Sequence, residues 1–265
     1  MRRVNPSKAL HGVRFAFGTL TVFPARITRW DRATARAGMT LAPLAGLAVG
    51  LCAAAAGAGF WVLGSGPLLA AVVSTAAPAL LTRGLHLDGL ADVADGLGSA
   101  KPAEDALRIM KRSDIGPFGV VSLLFFLLAQ TAALSRLYED GWARGAGAVV
   151  ISAVAARTAL TLASRRGIPA ARPDGLGAVV AGTVAAPRAF TVAALVTAAA
   201  AAFGLLLGPR SALHCALAVP AGLAVAQVLL RRCVRRFGGV TGDVFGAVAE
   251  TAATVTLVAL TLGLG

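Results

Sequence analysis

Residues 38–63 read GMTLAPLAGLAVGLCAAAAGAGFWVL and contain no charged side chain. A run of this length can cross the hydrocarbon core of a bilayer as one α-helix, which takes about 20 residues. Similar runs recur along the chain of 265 residues, of which 57% are hydrophobic and 14% are charged. An average soluble domain carries about 25% charged residues. The composition therefore predicts an all-α, polytopic membrane bundle and argues against a soluble enzyme or a disordered chain.

Seven apolar segments are predicted to span the membrane. Their approximate bounds are 38–63, 66–82, 117–138, 146–163, 189–207, 211–230 and 247–264. The second is short, and its apolar pattern continues as far as Leu90, which predicts a helix that runs on out of the bilayer. Before the first span, apolar residues recur at helical spacing at Leu10, Val13, Phe17 and Leu20. This spacing predicts an amphipathic helix on the membrane surface.

The basic residues predict the orientation of the chain. There are 25 Lys and Arg against 12 Asp and Glu, which gives a net charge of +13. With a cytoplasmic N-terminus, 21 of the 25 basic residues fall in segment 1–37 and in three inner loops. Because cytoplasmic loops of membrane proteins collect Lys and Arg, this excess needs no nucleic-acid partner. We predict one membrane-embedded catalytic domain over residues 1–265, with its C-terminus outside and its chemistry on the cytoplasmic side.

The inner loop at 83–116 contains six of the 12 carboxylates. Asp88, Asp92 and Asp95 follow the spacing i, i+4, i+7, which places them within about 60° of one another on a helix. Like charges at this spacing repel, and oxygen ligands without Cys select a hard cation such as Mg²⁺. We therefore predict a Mg²⁺ site on these aspartates, with a solvated acidic helix face as the alternative. His86 lies on another face, where packing is as plausible a role as binding.

A second acidic region enters the last predicted span. Asp243 and Glu250 are seven residues apart and share one helical face if the helix begins near Asp243. Arg157, in the fourth predicted span, lies at a depth similar to that of Glu250, about 10 Å from the same membrane face. Ionisable residues at such depth are costly and serve function or pairing. We predict that Asp243 and Glu250 face the cavity of the Asp88 cluster with Arg157 nearby, and a purely structural Arg157–Glu250 pair is the alternative.

Residues 84–97, GLHLDGLADVADGL, resemble the signature of the cobalamin synthase family, the adenosylcobinamide-GDP ribazoletransferases. Three further segments agree in order: residues 109–119 (IMKRSDIGPFG), Arg157, and residues 238–247 (GGVTGDVFGA) with Glu250. The resemblance covers nearly the whole chain. Two segments depart from it, because Arg-Ser-Asp at 112–114 stands where many relatives have Asp-Ser-Arg, and residues 20–24 lack an expected arginine. Both departures are left out of the predicted site.

The resemblance implies the last assembly step of coenzyme B12. The ribose hydroxyl of α-ribazole, or of its 5′-phosphate, would attack the cobinamide-side phosphorus of adenosylcobinamide-GDP and release GMP. The enzyme would be a Mg²⁺-dependent transferase in the bacterial inner membrane, and the sequence leaves open whether it forms a homo-oligomer. The implied catalytic residues are Asp88, Asp92, Asp95 and Asp243, the first three with the metal. The implied substrate-binding residues are His86, Lys111, Arg157 and Glu250.

Two other classes of membrane protein stay open at the level of the residues. A CDP-alcohol phosphotransferase also uses clustered aspartates with Mg²⁺, but its usual pattern has Arg where Asp92 stands and two later aspartates that are missing here. A secondary transporter would place Asp88, Arg157 and Glu250 on an ion path. Transporters often carry inverted repeats, whereas this chain shows none and concentrates its carboxylates on one side.

Overall fold

The computed structural model describes residues 6–262, so Arg2, Arg3 and the end of the last predicted span at residue 264 lie outside the described residues. Within this range the chain is helical and forms no β-strand. The helices are α1 (Pro6–Leu20), α2 (Arg32–Val62), α3 (Gly66–Leu81), α4 (Leu85–Gly98), α5 (Ala103–Ile109), α6 (Pro117–Glu139), α7 (Trp142–Ala163), α8 (Gly175–Val180), α9 (Ala186–Leu205), α10 (Pro209–Phe237) and α11 (Gly242–Thr261). The predicted all-α architecture is confirmed.

Six of the described helices are long and apolar enough to cross a membrane, namely α2, α6, α7, α9, α10 and α11. The short α3 provides a seventh candidate together with α4, from which it is bent by 89°. Each of the seven predicted segments therefore corresponds to a helix, with bounds that differ by several residues. The protein is a multi-pass membrane protein.

The predicted continuation of the second helix past Thr82 is wrong. The α3 helix ends at Leu81, and the next residues Arg83 and Gly84 have left-handed φ angles of 55° and 69°. The Gly84 N–H donates to the Ala79 carbonyl at 2.7 Å, as in the glycine-terminated end of many helices. Left-handed residues cannot continue a right-handed helix. Apolar periodicity carries no signal for such a bend, because Leu85, Leu87 and Leu90 simply belong to a new helix.

The α4 helix lies across the first turns of α6 and α11. Near its C-terminal end, Asp95 contacts Gly116 and Gly119 at the start of α6. Near its N-terminal end, the His86 backbone lies against Gly246 in the first turns of α11. The segment predicted as the acidic loop 83–116 is therefore largely helical, comprising α4 and α5, and it is separate from the six helices that are long enough to cross a membrane on their own.

The α7 helix is the centre of the bundle, and most of its residues are buried. It packs most closely on α2, where Gly46 and Gly50 form the pattern that allows helix backbones to approach. A Cβ added at Gly46 would lie 2.5 Å from the Ala153 carbonyl oxygen, and one added at Gly50 would lie 3.0 Å from the Ala153 Cβ. The two helices can touch this closely only because these positions have no side chain.

The predicted N-terminal helix is present and packs one face against α2, while the position of its apolar stripe on the membrane surface stays a prediction. Phe15 is fully buried against α2, where a Cβ added at Gly38 would lie 2.5 Å from its ring. Leu10, which belongs to the predicted apolar stripe, is 49% exposed. The partner of α1 is thus the first turns of α2, and the glycine on that helix selects which side of α1 is buried.

The long and short connections lie at opposite ends of the bundle. At one end, Arg32 donates to the carbonyls of Ala178 and Ala181, both at 2.8 Å. At the other end, Arg144 contacts Asp140 at 3.0 Å and the Ser211 hydroxyl at 3.3 Å. These contacts group the connections as the charge pattern predicts. Which end faces the cytoplasm remains a prediction from the basic residues.

Candidate active site

The three aspartates of α4 share one helical face but differ in burial. Asp88 is exposed, Asp92 is half-buried and Asp95 is buried, with 8% of its surface accessible. Asp95 is buried because the start of α6 covers its carboxylate. The carboxylates therefore occupy different environments and need not serve the same purpose.

Asp95 is held by the first turn of α6. Its carboxylate accepts hydrogen bonds from the Gly116 N–H at 2.8 Å and the Gly119 N–H at 2.9 Å. These donors belong to a helix N-terminus, where backbone N–H groups lack partners within the helix and favour negative charge. A Cβ added at Gly116 would lie 2.5 Å from the Asp95 carboxylate. Asp95 thus connects α4 to α6, and its role as a metal ligand stays a prediction.

Two glycines bring Asp243 to the aspartates of α4. A Cβ added at Gly89 would lie 2.6 Å from the Asp243 carbonyl oxygen, and one added at Gly246 would lie 2.9 Å from the His86 carbonyl oxygen. The α4 and α11 backbones are therefore in direct contact where they cross. This contact places the start of α11 beside the Asp88 cluster, and it explains why Gly89 and Gly246 have no side chain. Whether the Asp243 carboxylate faces the cavity of that cluster stays a prediction.

The carboxylates are close enough to influence one another. Burial, together with the nearby carboxylates of Asp243, Asp88 and Asp95, raises the pKa of Asp92 to about 7, while Arg172 acts in the opposite direction. Charges confined in this way raise the free energy of the ionised cluster. A cation bound among them would relieve the repulsion.

Asp243 is oriented by the residue that caps its helix. The Thr241 hydroxyl donates to the Asp243 carboxylate at 3.0 Å and accepts from the Val244 N–H at 3.4 Å. A threonine in this N-cap position satisfies a backbone donor of the first turn. The Thr241 hydroxyl therefore caps the N-terminus of α11 and also holds one carboxylate oxygen of Asp243 in place.

A cleft of about 740 Å³ opens beside Asp88 and Asp92. Charged residues on its other walls include Arg83, Arg112 and Asp114. The last two belong to the segment that was left out of the predicted site, and the structure places them at the cleft. The sequence could have indicated that Arg112 and Asp114 belong to the site, because both lie within a segment that otherwise matches the family pattern.

A buried polar group lies beneath α4. The Gln130 amide donates to the Glu250 carboxylate and to the Thr254 hydroxyl, both at 2.9 Å. Arg157 is buried nearby and interacts electrostatically with Glu250, but the two form no direct ion pair within residues 6–262. Burial lowers the pKa of His86 well below its usual value, and the charge of Arg157 lowers it further.

These buried residues do not line the cleft. Among the described residues, His86 Nε2 and Arg157 Nε are buried atoms without a hydrogen-bond partner. Glu250 contacts Gln130, a residue that the sequence analysis missed because a lone Gln in an apolar helix gives little signal. Lys111 is exposed and pairs with Asp174 at 3.7 Å. Roles for His86, Lys111, Arg157 and Glu250 in binding substrate stay predictions.

The carboxylate oxygens at the site are compatible with Mg²⁺ as a ligand-bound ion. Within residues 6–262 no group of three or more His, Cys, Asp or Glu side chains is arranged to hold a metal ion by itself. Mg²⁺ does not require such a cage, because one or two carboxylates, water and substrate phosphates commonly complete its shell. Asp88 and Asp92 lie at the open cleft with Asp243 close by. These oxygen donors fit an ion that a phosphate-bearing substrate helps to bind.

The fold and the cleft define a class: a multi-pass helical membrane protein with a carboxylate site at the end where its long connections meet. A sequence model described as cobalamin-5-phosphate synthase matches residues 12–261. The chain belongs to the cobalamin-5-phosphate synthase family.

Curated relatives agree with this assignment. A Frankia casuarinae protein named adenosylcobinamide-GDP ribazoletransferase is 44% identical over 94% of both chains. Proteins of the same name are 42% identical in a Nocardioides species, over 93% of this chain and 96% of the relative, and 37% identical in Bradyrhizobium diazoefficiens, over 92% and 91%. No solved structure matches the chain. The family assignment leaves the phospholipid synthase and transporter alternatives without support.

Proposed function

We propose that this protein transfers the adenosylcobinamide phosphate group from adenosylcobinamide-GDP to α-ribazole or its 5′-phosphate. The products are GMP and adenosylcobalamin or its 5′-phosphate, so the reaction is the final assembly step of coenzyme B12. The observation that carries this proposal is the 44% identity, over 94% of both chains, to a relative named for this activity. The acidic cleft at the end of the bundle supports it with suitable chemistry.

A carboxylate of this chain takes up the proton that the acceptor hydroxyl loses in the reaction. The ribose hydroxyl oxygen of the acceptor forms a bond to the cobinamide-side phosphorus, and the bond from that phosphorus to the oxygen of GMP breaks. Asp243 accepts the hydroxyl proton, since its carboxylate lies beside Asp92 and is oriented by Thr241. General-base catalysis by a positioned carboxylate contributes about 10²- to 10⁴-fold. Holding two large substrates against one cleft contributes further by proximity.

Asp88 and Asp92 would hold Mg²⁺ together with phosphate oxygens of the donor. Asp95 remains in the proposed ligand set, although its two backbone hydrogen bonds already position α4. When bound, Mg²⁺ neutralises charge on the phosphate oxygens and stabilises the leaving group. This proposal is supported by the oxygen-only donors and by the pKa of Asp92, which burial and the neighbouring carboxylates together raise to about 7.

We place the site on the cytoplasmic face of the bacterial inner membrane. Support comes from the 21 basic residues that share its side of the predicted topology, because positive residues are retained on the cytoplasmic side. Adenosylcobinamide-GDP and α-ribazole 5′-phosphate carry charged phosphate groups, so a site at the membrane surface can reach them without moving charge through lipid.

The test uses purified protein in liposomes with adenosylcobinamide-GDP and α-ribazole 5′-phosphate. Chromatography should detect GMP and adenosylcobalamin 5′-phosphate in equal amounts, and both should disappear when Mg²⁺ is chelated and return when it is restored. If the protein forms both products equally well when Mg²⁺ is chelated, the proposed metal requirement is wrong. Folded protein that forms neither product under any metal condition would overturn the proposed function.

A further inference from the structure

Arg172 lies in the connection between α7 and α8, and backbone contacts place it beside the acidic site. The Ala171 N–H donates to the Val240 carbonyl at 3.0 Å, and the Val240 N–H donates to the Pro169 carbonyl at 2.9 Å. A Cβ added at Gly239 would lie 2.5 Å from the backbone of Ala171. The connection is therefore held tightly against the residues that lead into α11.

The guanidinium group of Arg172 is anchored from a third direction. It donates a hydrogen bond to the Leu107 carbonyl in α5. Its charge acts on both Asp92 and Asp243, and the backbone just before it bonds to Val240, three residues before Asp243. Arg172 is half-buried, which limits the positions its side chain can take.

Arg172 forms no ion pair with a carboxylate within residues 6–262. Its guanidinium has five N–H donors in a fixed plane, and the bond to Leu107 uses one of its terminal nitrogens. The remaining donors are free of protein partners in the described chain. An arginine with free donors next to acidic residues is well suited to a second, anionic partner, because a phosphate can accept two parallel bonds.

A second cleft, of about 490 Å³, opens at Arg172 and is otherwise lined by Ala170, Ala171, Pro173 and Ala178. Its lining is distinct from that of the cleft beside Asp88 and Asp92. Arg172 is the one charged residue of this lining. A small cleft whose single charged group is a cation favours an anionic ligand of limited size.

We propose that Arg172 binds a phosphate group of a substrate in this second cleft. The inference rests on the proposed function, which supplies phosphate groups on the donor and, where the acceptor is α-ribazole 5′-phosphate, on the acceptor. A phosphate held there would lie close to the segment that leads into Asp243, because residues 169–171 contact Gly239 and Val240. Arg172 is thus a substrate-binding residue that no sequence motif marked.

The experiment compares wild-type protein in liposomes with Arg172→Ala, Arg172→Lys and the control Arg166→Ala. Arg166 is an exposed arginine of the same connection, with no side-chain contact among those described. Initial rates of GMP release are measured with α-ribazole and with α-ribazole 5′-phosphate, each over a range of acceptor and of adenosylcobinamide-GDP concentrations. Thermal unfolding in detergent establishes that each variant is folded.

Arg172→Ala loses a charge-assisted hydrogen bond to the substrate phosphate, so we expect the KM of the substrate that carries this phosphate to rise about 10- to 100-fold. If only the KM of α-ribazole 5′-phosphate rises, Arg172 binds the phosphate of the acceptor. If the KM of adenosylcobinamide-GDP rises with both acceptors, Arg172 binds a phosphate of the donor. Arg172→Lys should recover part of the loss, because lysine keeps the charge but not the paired bonds.

Two results would overturn the inference while the proposed function stands. One is an Arg172→Ala protein with the KM values of Arg166→Ala. The other is a fall in kcat alone, with unchanged KM values and no recovery in Arg172→Lys, which would indicate a structural role. If Arg172→Ala does not fold, Arg172→Gln provides the neutral variant for the same comparison. The proposed function fails separately, in the wild-type protein, if no GMP is released.

Discussion

Gly89→Ala tests whether the contact between α4 and α11 positions the acidic site. The new methyl group would lie 2.6 Å from the carbonyl oxygen and 2.9 Å from the Cα of Asp243. Both are backbone atoms, so the helices themselves must separate. Overpacking of this kind costs about 1–3 kcal/mol, and the gain in helix propensity from Gly to Ala returns about 1 kcal/mol. We expect a net loss of about 0–2 kcal/mol in stability.

The expected effect on activity is much larger than the effect on stability. A shift of about 1 Å between reacting groups can reduce turnover about 100-fold, and the shift here acts directly on Asp243. Turnover is measured as GMP release, and stability as the thermal midpoint in detergent. Gly59→Ala is the matched control, because a Cβ added at this helical glycine of α2 meets no atom within 4 Å. Wild-type turnover in the Gly89→Ala protein would refute the proposed crossing of the two helices.

Three further results are expected. Asp92→Asn should insert and fold but lose about 100-fold or more in turnover, because a neutral Asn side chain cannot balance the charge of the metal ion that binds the substrate phosphates. Normal turnover would reject the proposed role of Asp92. In a cysteine-free background, a cysteine replacing Glu139 should react with an impermeant reagent in intact cells and one replacing Lys101 should not, and the reverse labelling would invert the topology. Gln130→Ala should lower stability by about 1–3 kcal/mol, since Glu250 and Thr254 lose a buried donor; an unchanged thermal midpoint would argue against that network.

The membrane fold was predictable because its signals are local. Apolar runs such as residues 38–63 identify spanning helices by length and composition alone, and each run predicted one helix of the structure. The charge pattern separated the two ends of the bundle for the same reason, since it depends on counts within each connection. The helical face shared by Asp88, Asp92 and Asp95 also followed directly, because residues i, i+4 and i+7 align on any α-helix.

The bend after α3 and the contacts of α4 were decided only in three dimensions. Gly84 indicates a helix end only when its left-handed φ of 69° is known. The site of Asp95 depends on donors 21 and 24 residues away at Gly116 and Gly119, and no periodicity within α4 predicts them. Burial of Asp95 and exposure of Asp88 therefore arise from where the helix lies on its neighbours.

The sequence by itself determined the family, the class of fold and the aspartates that belong together along one helix. Only the tertiary structure placed Asp243 against Gly89, Arg172 beside both acidic segments, and Arg112 on the wall of the cleft. The physical reason is the range of the interactions. Helix formation and membrane insertion depend on residues within one segment, whereas an active site is assembled from backbone approaches between segments that only packing brings together.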